Sequence, residues 1–393
     1  MSESPATLLS GPAGAAALAA AAELANREPL AAAAALRRAG IAPDVAAAAL
    51  TQAELRRRAV GKFGGDAARL LFTRAGLEQA TRGVVARRRA ARLSEAGVRA
   101  VADLGCGIGA DSLAFAQAGL RVLAIESDPA TAEIARANSA ALGLAGAVEV
   151  RCADATTVDL SRVDAAFCDP ARRAGDRRRF DPHAYSPPWS FVVELAARVP
   201  QTVLKVAPGI DHDLIPDGAE AEWVSEDGDV VEAALWCGPL AGPSRRRATI
   251  IHNAAEYGLV GDGHQRAPVG PIGPVMYAPD GAVVRSHLVA EFAATVGGHL
   301  ADPRIAYVFA DSAAHTPLAA CFDRLEPVPF ATKRLRAALR ERGIGRLEIL
   351  KRGVGVEPDA LRRELRLSGD REASLILLRI GDTPTALLGR RLP

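Results

Sequence analysis

A glycine-rich turn between an apolar run and a helical pattern is the feature that most constrains the fold of this chain. The stretch VADLGCGIGADSLAFAQAG, residues 101–119, opens with apolar residues, places an acid at Asp103 and has glycine at 105, 107 and 109. This order predicts a buried strand, a tight turn and the first turn of a helix. Glycine lets the backbone approach a ligand closely, and the helix N-terminal amides then face that ligand. The turn alone leaves open whether the ligand is a dinucleotide, a phosphate or another cofactor.

Short apolar runs alternate with helical patterns from residue 98 to residue 237. Such alternation predicts an α/β fold with a parallel, doubly wound sheet. The flanking sequence is different, because an alanine- and arginine-rich helical pattern precedes this region and a mixed α+β pattern follows it. We therefore predict four parts: a helical N-terminal domain at 1–95, a ligand-binding core at 96–240, a connector with a small, ferredoxin-like α+β segment at 241–320, and an α+β domain at 321–393.

Composition and cysteine spacing argue against a membrane protein, a disulfide-bonded protein and a metal-binding protein. The 393 residues are 49% hydrophobic and 24% charged with a net charge of +2, which is typical of a soluble globular protein of two or three domains. The five cysteines form no C-x-x-C pair and no metal spacing with histidine, which predicts reduced thiols in the cytoplasm and no metal site. The alanine-rich start is too weakly apolar to span a bilayer, so we expect no membrane association.

Three acidic positions follow the turn at the ends of successive predicted strands. Glu126 lies nineteen residues after Gly107, where a Rossmann-type site binds the ribose hydroxyls. Asp154 ends the third strand, where a carboxylate can accept from an adenine amino group, and Asp169 ends the fourth. A nicotinamide cofactor and S-adenosylmethionine both fit the glycines and Glu126. The spacing G-C-G-I-G, which is not G-x-G-x-x-G, and the two later acids favour S-adenosylmethionine.

These motifs resemble the class I S-adenosylmethionine-dependent methyltransferases. The resemblance rests on DLGCGIGADSLAFA, Glu126, CADA and CDPAR within residues 98–237. A closer resemblance, to the bacterial methyltransferases with a THUMP-like C-terminal domain, rests on LLFTRAGLEQAT (70–81), VFADSAAHTPLA and LILLRI. The chain is more loosely similar to trimethylguanosine-synthase-like enzymes. The resemblance implies a Rossmann-like class I methyltransferase core, a THUMP-like C-terminal region and a structured RNA, tRNA or rRNA, as partner.

The resemblance also assigns roles to individual residues. The predicted S-adenosylmethionine-binding residues are Asp103, Gly105, Cys106, Gly107, Gly109, Glu126, Ser127, Asp154 and Ala155. Asp169 and Pro170 are the predicted catalytic residues, because the family motif [D/N/S]-P-P-[Y/F/W] at this strand end holds an amino group for methylation. Here Ala171 and Arg172 replace the second proline and the aromatic residue. The predicted substrate-binding residues are Arg172, Arg173, Tyr185 and Trp189, with a ring of the following loop as the stacking platform.

The leading interpretation is a methyltransferase that acts on a base of structured RNA. A second interpretation keeps the cofactor and replaces RNA by a small molecule or a protein. A third is a methyltransferase fold that binds RNA or a partner without catalysis, which the Ala171-Arg172 departure favours. A nicotinamide oxidoreductase is the fourth. For residues 70–93 we expect either a plain helix-turn-helix or a lid over the cofactor, with Thr73 and Thr81 as caps, a bend at Gly76, and Arg87, Arg88 and Arg89 facing RNA.

Overall fold

The structure, a computed structural model, describes residues 4–172 and 185–393 of the chain. Its residues divide into two units. The first contains Met1–Val206 and Leu235–Leu240, and the second contains Ala207–Ala234 and Ala241–Pro393. Among the described residues, no helix is long and apolar enough to cross a membrane.

The first unit starts with helices and continues into an alternation of strands and helices. Its helices are α1 (Pro5–Leu8), α2 (Gly11–Glu23), α3 (Pro29–Arg38), α4 (Pro43–Phe63), α5 (Arg74–Gln79), α6 (Gly83–Glu95), α7 (Ala110–Gln117), α8 (Pro129–Ala141) and α9 (Trp189–Arg198). Its strands are β1 (Ala100–Leu104), β2 (Arg121–Glu126), β3 (Val148–Cys152), β4 (Ala165–Cys168), β5 (Ala171–Arg172), β6 (Tyr185–Ser186) and β7 (Gln201–Val206).

Five strands of this unit form a parallel sheet in the order β7-β4-β1-β2-β3. The chain first builds outward from β1 through β2 to β3, and then returns to the other side of β1 to form β4 and β7. The order therefore reverses between β1 and β4, and in open α/β sheets a ligand binds beyond the carboxyl ends of the strands at such a point. The predicted α/β class with a Rossmann-like core is confirmed.

The N-terminal helices share a hydrophobic core with the sheet region. Leu36 and Leu55 of these helices lie in one buried cluster with Leu113 of α7 and Ile134 of α8. Alanine-rich helices bury little apolar surface by themselves, so packing on the sheet region supplies the core that a separate domain of this size would lack. The predicted domain at 1–95 and most of the predicted domain at 96–240 accordingly lie in the same unit, whereas residues 207–234 lie in the second unit.

The second unit is rich in strands. They are β8 (Glu220–Glu226), β9 (Asp229–Trp236), β10 (Arg246–His252), β11 (Ala255–Gly261), β12 (Val275–Pro279), β13 (His299–Leu300), β14 (Val308–Ala310), β15 (Ala319–Val328), β16 (Ile344–Arg352), β17 (Arg371–Ile380) and β18 (Thr383–Arg391). Its helices are α10 (Gly281–Arg285), α11 (Val289–Thr295), α12 (Thr332–Glu341) and α13 (Pro358–Leu365). The last two residues of β9 belong to the first unit. Asp227 and Gly228, with φ of 49° and 88°, form the tight turn between β8 and β9.

A mixed sheet organises the C-terminal part of this unit. Its strand order is β13-β14-β12-β15-β18-β17-β16. The predicted boundary between 241–320 and 321–393 falls inside β15, whose residues Ala319–Phe322 pair with β12 and whose later residues pair with β18. The two predicted parts are therefore joined by one sheet.

Candidate active site

The glycine turn adopts a backbone that only glycine accommodates easily. Gly105, Gly107 and Gly109 have φ of 87°, 57° and 91°, which is the left-handed region. Glu126, the last residue of β2, holds the turn because its Oε2 accepts from the amide of Gly107 at 3.0 Å. Its Oε1 accepts from the amide of Asp128 at 2.9 Å. Glu126 thus fixes the turn after β1 and the chain after its own strand.

Asp154 stabilises the turn that follows β3. Its Oδ1 accepts from the amide of Thr156 at 2.8 Å and from the hydroxyl of Thr156 at 2.7 Å, and these bonds hold the pKa of the carboxyl below its usual range. The side chain is exposed, and Ala155 next to it is half-buried. Ser127, after β2, is exposed and donates to Glu126 at 3.4 Å. The predicted cofactor residues after β2 and β3 therefore reach solvent at the carboxyl edge of the sheet.

Asp103 is a buried carboxyl with one unsatisfied oxygen. Its Oδ2 accepts from the hydroxyl of Ser112 at 2.5 Å, whereas its buried Oδ1 has no hydrogen-bond partner in the described structure. Burial, and secondarily the charge of Asp111, raises the pKa of Asp103 to about 8. Burial likewise raises the pKa of Cys106 well above its usual value, so that side chain is a neutral wall of the turn.

Asp169 at the end of β4 forms an ion pair that the sequence did not predict. Its Oδ2 accepts from Nζ of Lys205, near the end of the neighbouring strand β7, at 2.6 Å. A Cβ at Gly105 would lie 3.3 Å from the carbonyl oxygen of Asp169, so the ends of β1 and β4 approach closely. Pro170 is buried beside them. A signal was available, because Lys205 is one of only four lysines and stands within an apolar strand pattern.

A buried polar chain continues from Lys205 into the helices. Lys205 donates to the hydroxyl of Thr81 at 3.0 Å, and Thr81 donates to Oδ2 of Asp111 at 2.6 Å. Oδ1 of Asp111 pairs with Arg89, whose guanidinium carbon lies 4.4 Å from the centre of the Phe167 ring. Arg89 is only 2% exposed. The expectation that Arg89 faces RNA is wrong, because this side chain neutralises a buried carboxylate.

The segment 70–81 packs against the glycine turn. Thr73 caps α5 as predicted, since its hydroxyl accepts from the amide of Gly76 at 2.9 Å. Gly76 does not bend the chain; it lies inside α5, where a Cβ would come within 2.6 Å of Cγ2 of Ile108. The helix instead ends at Ala80, and α6 begins after Arg82, so Thr81 is not a cap.

Two side chains fasten this segment. Asn138 of α8 is bonded to both backbone groups of Leu71, at 2.7 and 3.0 Å, and donates to the carbonyl of Ile108 at 3.0 Å. Lys62 of α4 donates to the carbonyls of Leu77, Glu78 and Ala80 at 2.7, 2.8 and 2.9 Å, which uses all three of its N–H groups. Burial and the charge of Lys205 lower the pKa of Lys62. Residues 70–80 are therefore held over the turn.

The predicted substrate residues are described only in part. β5 directly follows Asp169 and Pro170. It pairs antiparallel with β6, and Arg172 lies opposite Tyr185. Arg173 lies outside the described residues, as do the side chains of Arg172 and Tyr185. Trp189 is the first residue of α9, so the Pro-Pro pair of SPPW precedes a helix start.

The charges of the site suit a cationic ligand. Asp169 pairs with Lys205 and Asp111 with Arg89, so these four charges balance. The carboxylate of Glu126 remains, at the end of β2, and the unsatisfied oxygen of the protonated Asp103 carboxyl is a hydrogen-bonding group without a protein partner in the described structure. S-adenosylmethionine carries a sulfonium and an ammonium group, so the residues present fit this cofactor. Within the described ranges, no group of His, Cys, Asp and Glu is arranged to hold a metal ion.

Comparison with protein families agrees with these features. Residues 101–176 match a methyltransferase domain, residues 319–391 match a THUMP domain-like family, and residues 5–59 match a domain of unknown function. The fold of a methyltransferase candidate from Porphyromonas gingivalis W83 superposes with a TM-score of 0.74 at 21% identity, covering 96% of this chain and 99% of that one.

Two relatives found by sequence comparison have higher identity to this chain than that structure has. Uncharacterized S-adenosylmethionine-dependent methyltransferases of two Mycobacterium tuberculosis strains are 39% identical over 336 residues, which is 83% of this chain and 91% of theirs. This identity and coverage establish both the family and its cofactor. The chain belongs to the S-adenosylmethionine-dependent methyltransferases.

Proposed function

We propose that this methyltransferase transfers a methyl group to a base nitrogen of structured RNA, tRNA or rRNA. The glycine turn, Glu126 and Asp154 would hold the cofactor. Asp169 and Pro170 would hold the amino or ring N–H of the base. The observation that carries the proposal is the carboxylate of Asp169, fixed by Lys205 at the point where the strand order reverses.

The chemistry asks mainly for positioning. When bound, S-adenosylmethionine supplies a methyl group on a sulfonium sulfur, which becomes a neutral thioether as the S–C bond breaks. Asp169 accepts a hydrogen bond from the target N–H and so directs the nitrogen lone pair, which forms the new N–C bond. The proton released from that nitrogen passes to solvent. Most of the rate enhancement in such a transfer comes from alignment and electrostatics.

RNA as the substrate is supported by the C-terminal region. Residues 319–391 match a THUMP domain-like family, and the sequence resemblance associates that domain with RNA. Basic side chains of α12 and α13, including Lys333, Arg334 and Arg363, are exposed. Arg87 on α6 is also exposed. Exposed arginine and lysine contact phosphates and make RNA binding depend on salt.

The test incubates the purified chain with S-adenosylmethionine and total RNA from cells that lack the gene. Mass spectrometry of the digested nucleosides should then show one N-methylated nucleoside that the untreated RNA lacks. Asp169→Ala should abolish this product and leave the affinity for S-adenosylmethionine nearly unchanged. Asp159→Ala, an exposed carboxylate after β3, is the matched control and should retain full transfer.

Other outcomes would contradict the proposal. Full activity of Asp169→Ala would mean that another group holds the target. Methyl transfer to a protein or a small molecule, with none to RNA, would support the second interpretation of the sequence. Cofactor binding without transfer to any substrate would favour the non-catalytic interpretation, for which the Ala171-Arg172 departure remains the argument.

A further inference from the structure

The second unit contains an open cleft that is separate in sequence from the methyl-transfer motifs. Its volume is about 470 Å³, within the range of small-molecule sites. Residues from three parts of the chain line it. They are Pro208–Ile210 and His212, then Gly281, Val284, Arg285 and His287, and finally Arg352 of β16. The proposed methyl-transfer site uses none of these residues.

Three rings form a column at this cleft. Trp223 is completely buried, and its indole N–H donates to the carbonyl of Pro208 at 2.9 Å. The His212 ring stacks on Trp223 with centroids 5.0 Å apart, and the His287 ring stacks on His212 at 3.8 Å with a 12° interplanar angle. His212 is further fixed by a 3.0 Å bond between its Nε2 and the carbonyl of Arg285. The column thus starts in the core and ends at His287, which is exposed.

The backbone at His287 ends helix α10. Its φ is 62°, a left-handed conformation that histidine adopts more readily than most residues. The amides of His287 and Leu288 donate to the carbonyls of Val284 and Val283, which is the usual bonding of a helix C-terminal cap and fixes the position of His287. Partial burial of the two rings lowers the pKa of His287 and, to about 4, that of His212. The exposed end of the column is therefore a neutral aromatic surface at pH 7.

Arginines surround this surface. Arg285 and Arg352 line the cleft, and Arg246 is close enough that its charge contributes to the lowered pKa of both histidines. Backbone carbonyls orient two of them: Arg352 donates to Pro279 at 3.3 Å and Arg285 to Pro208 at 3.4 Å. Among the described residues, no carboxylate forms an ion pair with any of the three. The cleft therefore combines positive charge with a stacking face.

We propose that this cleft binds a nucleoside phosphate, with the base stacked on His287 and the phosphate held by Arg285 and Arg352. A planar π-face beside unneutralised guanidinium groups is the chemistry that recognises single-stranded nucleotides. A free mononucleotide and an unpaired nucleotide of an RNA offer the same groups. The inference does not depend on which atom the enzyme methylates.

The test uses the full-length protein and two probes. AMP is titrated by calorimetry, and a 5′-labelled single-stranded RNA decamer is titrated by fluorescence anisotropy, with AMP as competitor. We expect both probes to bind and AMP to displace the decamer. Binding of AMP alone, with no effect of the decamer, would assign the cleft to a free nucleotide. Binding of neither probe would overturn the proposal.

Variants separate stacking from charge. His287→Asn tolerates the left-handed backbone and removes the ring, and should weaken both probes by about 5- to 160-fold, since stacking of one base is worth about 1–3 kcal/mol. His287→Tyr should restore binding. Arg352→Met should weaken the decamer and lower its salt slope by about 1. His315→Ala and Arg162→Met, both at exposed positions, are the matched controls. Unchanged binding in His287→Asn and Arg352→Met would contradict the proposal, whereas methyl transfer by Asp169→Ala bears only on the proposed function.

Discussion

Two lysines give the site its rigidity at the scale of single residues. The chain has four lysines and uses arginine almost everywhere else, yet Lys62 and Lys205 both lie at the site. A lysine ammonium is compact and offers three donors in adaptable directions, whereas a guanidinium is a planar fork. Lys62 needs such a group to reach three carbonyls, and Lys205 to bridge Asp169 and Thr81. Substitution by arginine is therefore not conservative at either position.

In the proposed mechanism Lys205 acts through Asp169 and is a positioning residue. Lys205→Met should reduce kcat by about 10²-fold, because a small displacement of the carboxylate misaligns the target. The KM and Kd for S-adenosylmethionine should change little, since neither depends on Asp169. Steady-state kinetics with saturating RNA, and calorimetry with the cofactor, measure the two effects. Gln201→Met, at the opposite end of β7, is the control. A large loss of cofactor affinity in Lys205→Met would indicate a general structural role instead.

Asp103 should make stability depend on pH. Its pKa is raised from 3.8 to about 8, first by burial and then by Asp111, so the folded state binds this proton more tightly than the unfolded state does. Stability therefore falls as the pH rises from about 4 to about 8 and is constant for this group outside that window. Asp103→Asn should flatten the profile, which chemical denaturation at several pH values measures. An unchanged slope would mean that Asp103 titrates normally.

The glycine turn, the strand ends and the acids after β2, β3 and β4 could be predicted from the sequence, because each depends on local chain order. The ion pair of Asp169 with Lys205 could not, since it depends on which strand becomes the neighbour of β4. For Arg89 the local pattern was misleading. Three consecutive arginines look like a solvated helix face, but the buried Asp111 selects one of them.

At the scale of elements, α5 is fitted to the glycine turn through Gly76. Gly76→Ala should weaken S-adenosylmethionine binding, because its Cβ would displace Ile108 or Thr73. Gly61→Ala is a matched control in α4, where a Cβ meets no atom within 4 Å. That control should stabilise the protein by about 1 kcal/mol through helix propensity and leave binding unchanged. Calorimetry on both variants is the measurement. Equal affinities would show that α5 does not affect the cofactor site.

Helix α6 is held to α7 by the pair of Arg89 and Asp111. Arg89→Met should destabilise the protein by about 3–5 kcal/mol, because it leaves a buried carboxylate without its partner. Arg87→Met, two residues earlier on the exposed face, should change stability by less than about 0.5 kcal/mol. Urea unfolding gives both values. If Arg87→Met also weakens binding to RNA with a smaller salt slope, that arginine belongs to the RNA surface. A small effect of Arg89→Met would mean that Asp111 is protonated or hydrated in the variant.

The elements themselves were only partly predictable. The strand-helix alternation of 98–237 was clear from the apolar runs, and α8 and α9 lie within that region. The first part of the predicted connector and small α+β segment at 241–320 is rich in glycine, proline and arginine, but it contains two regular strands, β10 and β11. The Asp-Gly pair at 227–228 was an available hairpin signal, since both residues readily adopt positive φ.

At the scale of the whole molecule, the number of units could not be read from composition. Changes in pattern near residues 95, 240 and 320 suggested four parts, and the structure has two units. Pattern changes mark a change of secondary structure, not the limit of a hydrophobic core. Val328 and Leu335 share a core with Leu375, and Met276 shares one with Ile376, so both sides of the predicted boundary at 320 contribute to the C-terminal sheet.

The first unit is discontinuous along the chain, because residues 235–240 return to it after an excursion of 28 residues. Residues 235–240 are held to the rest of the first unit by hydrogen bonds and a ring contact. The amide of Cys237 donates to the carbonyl of Thr202 at 2.9 Å, and Arg92 donates to the carbonyl of Leu240 at 2.7 Å while lying 3.9 Å from the Trp236 ring. A ribosome delivers the chain from its N-terminus, and domains tend to fold as they emerge. We therefore expect the first unit to complete its fold only after translation has passed Leu240, and until then the surface that residues 235–240 cover is exposed to aggregation.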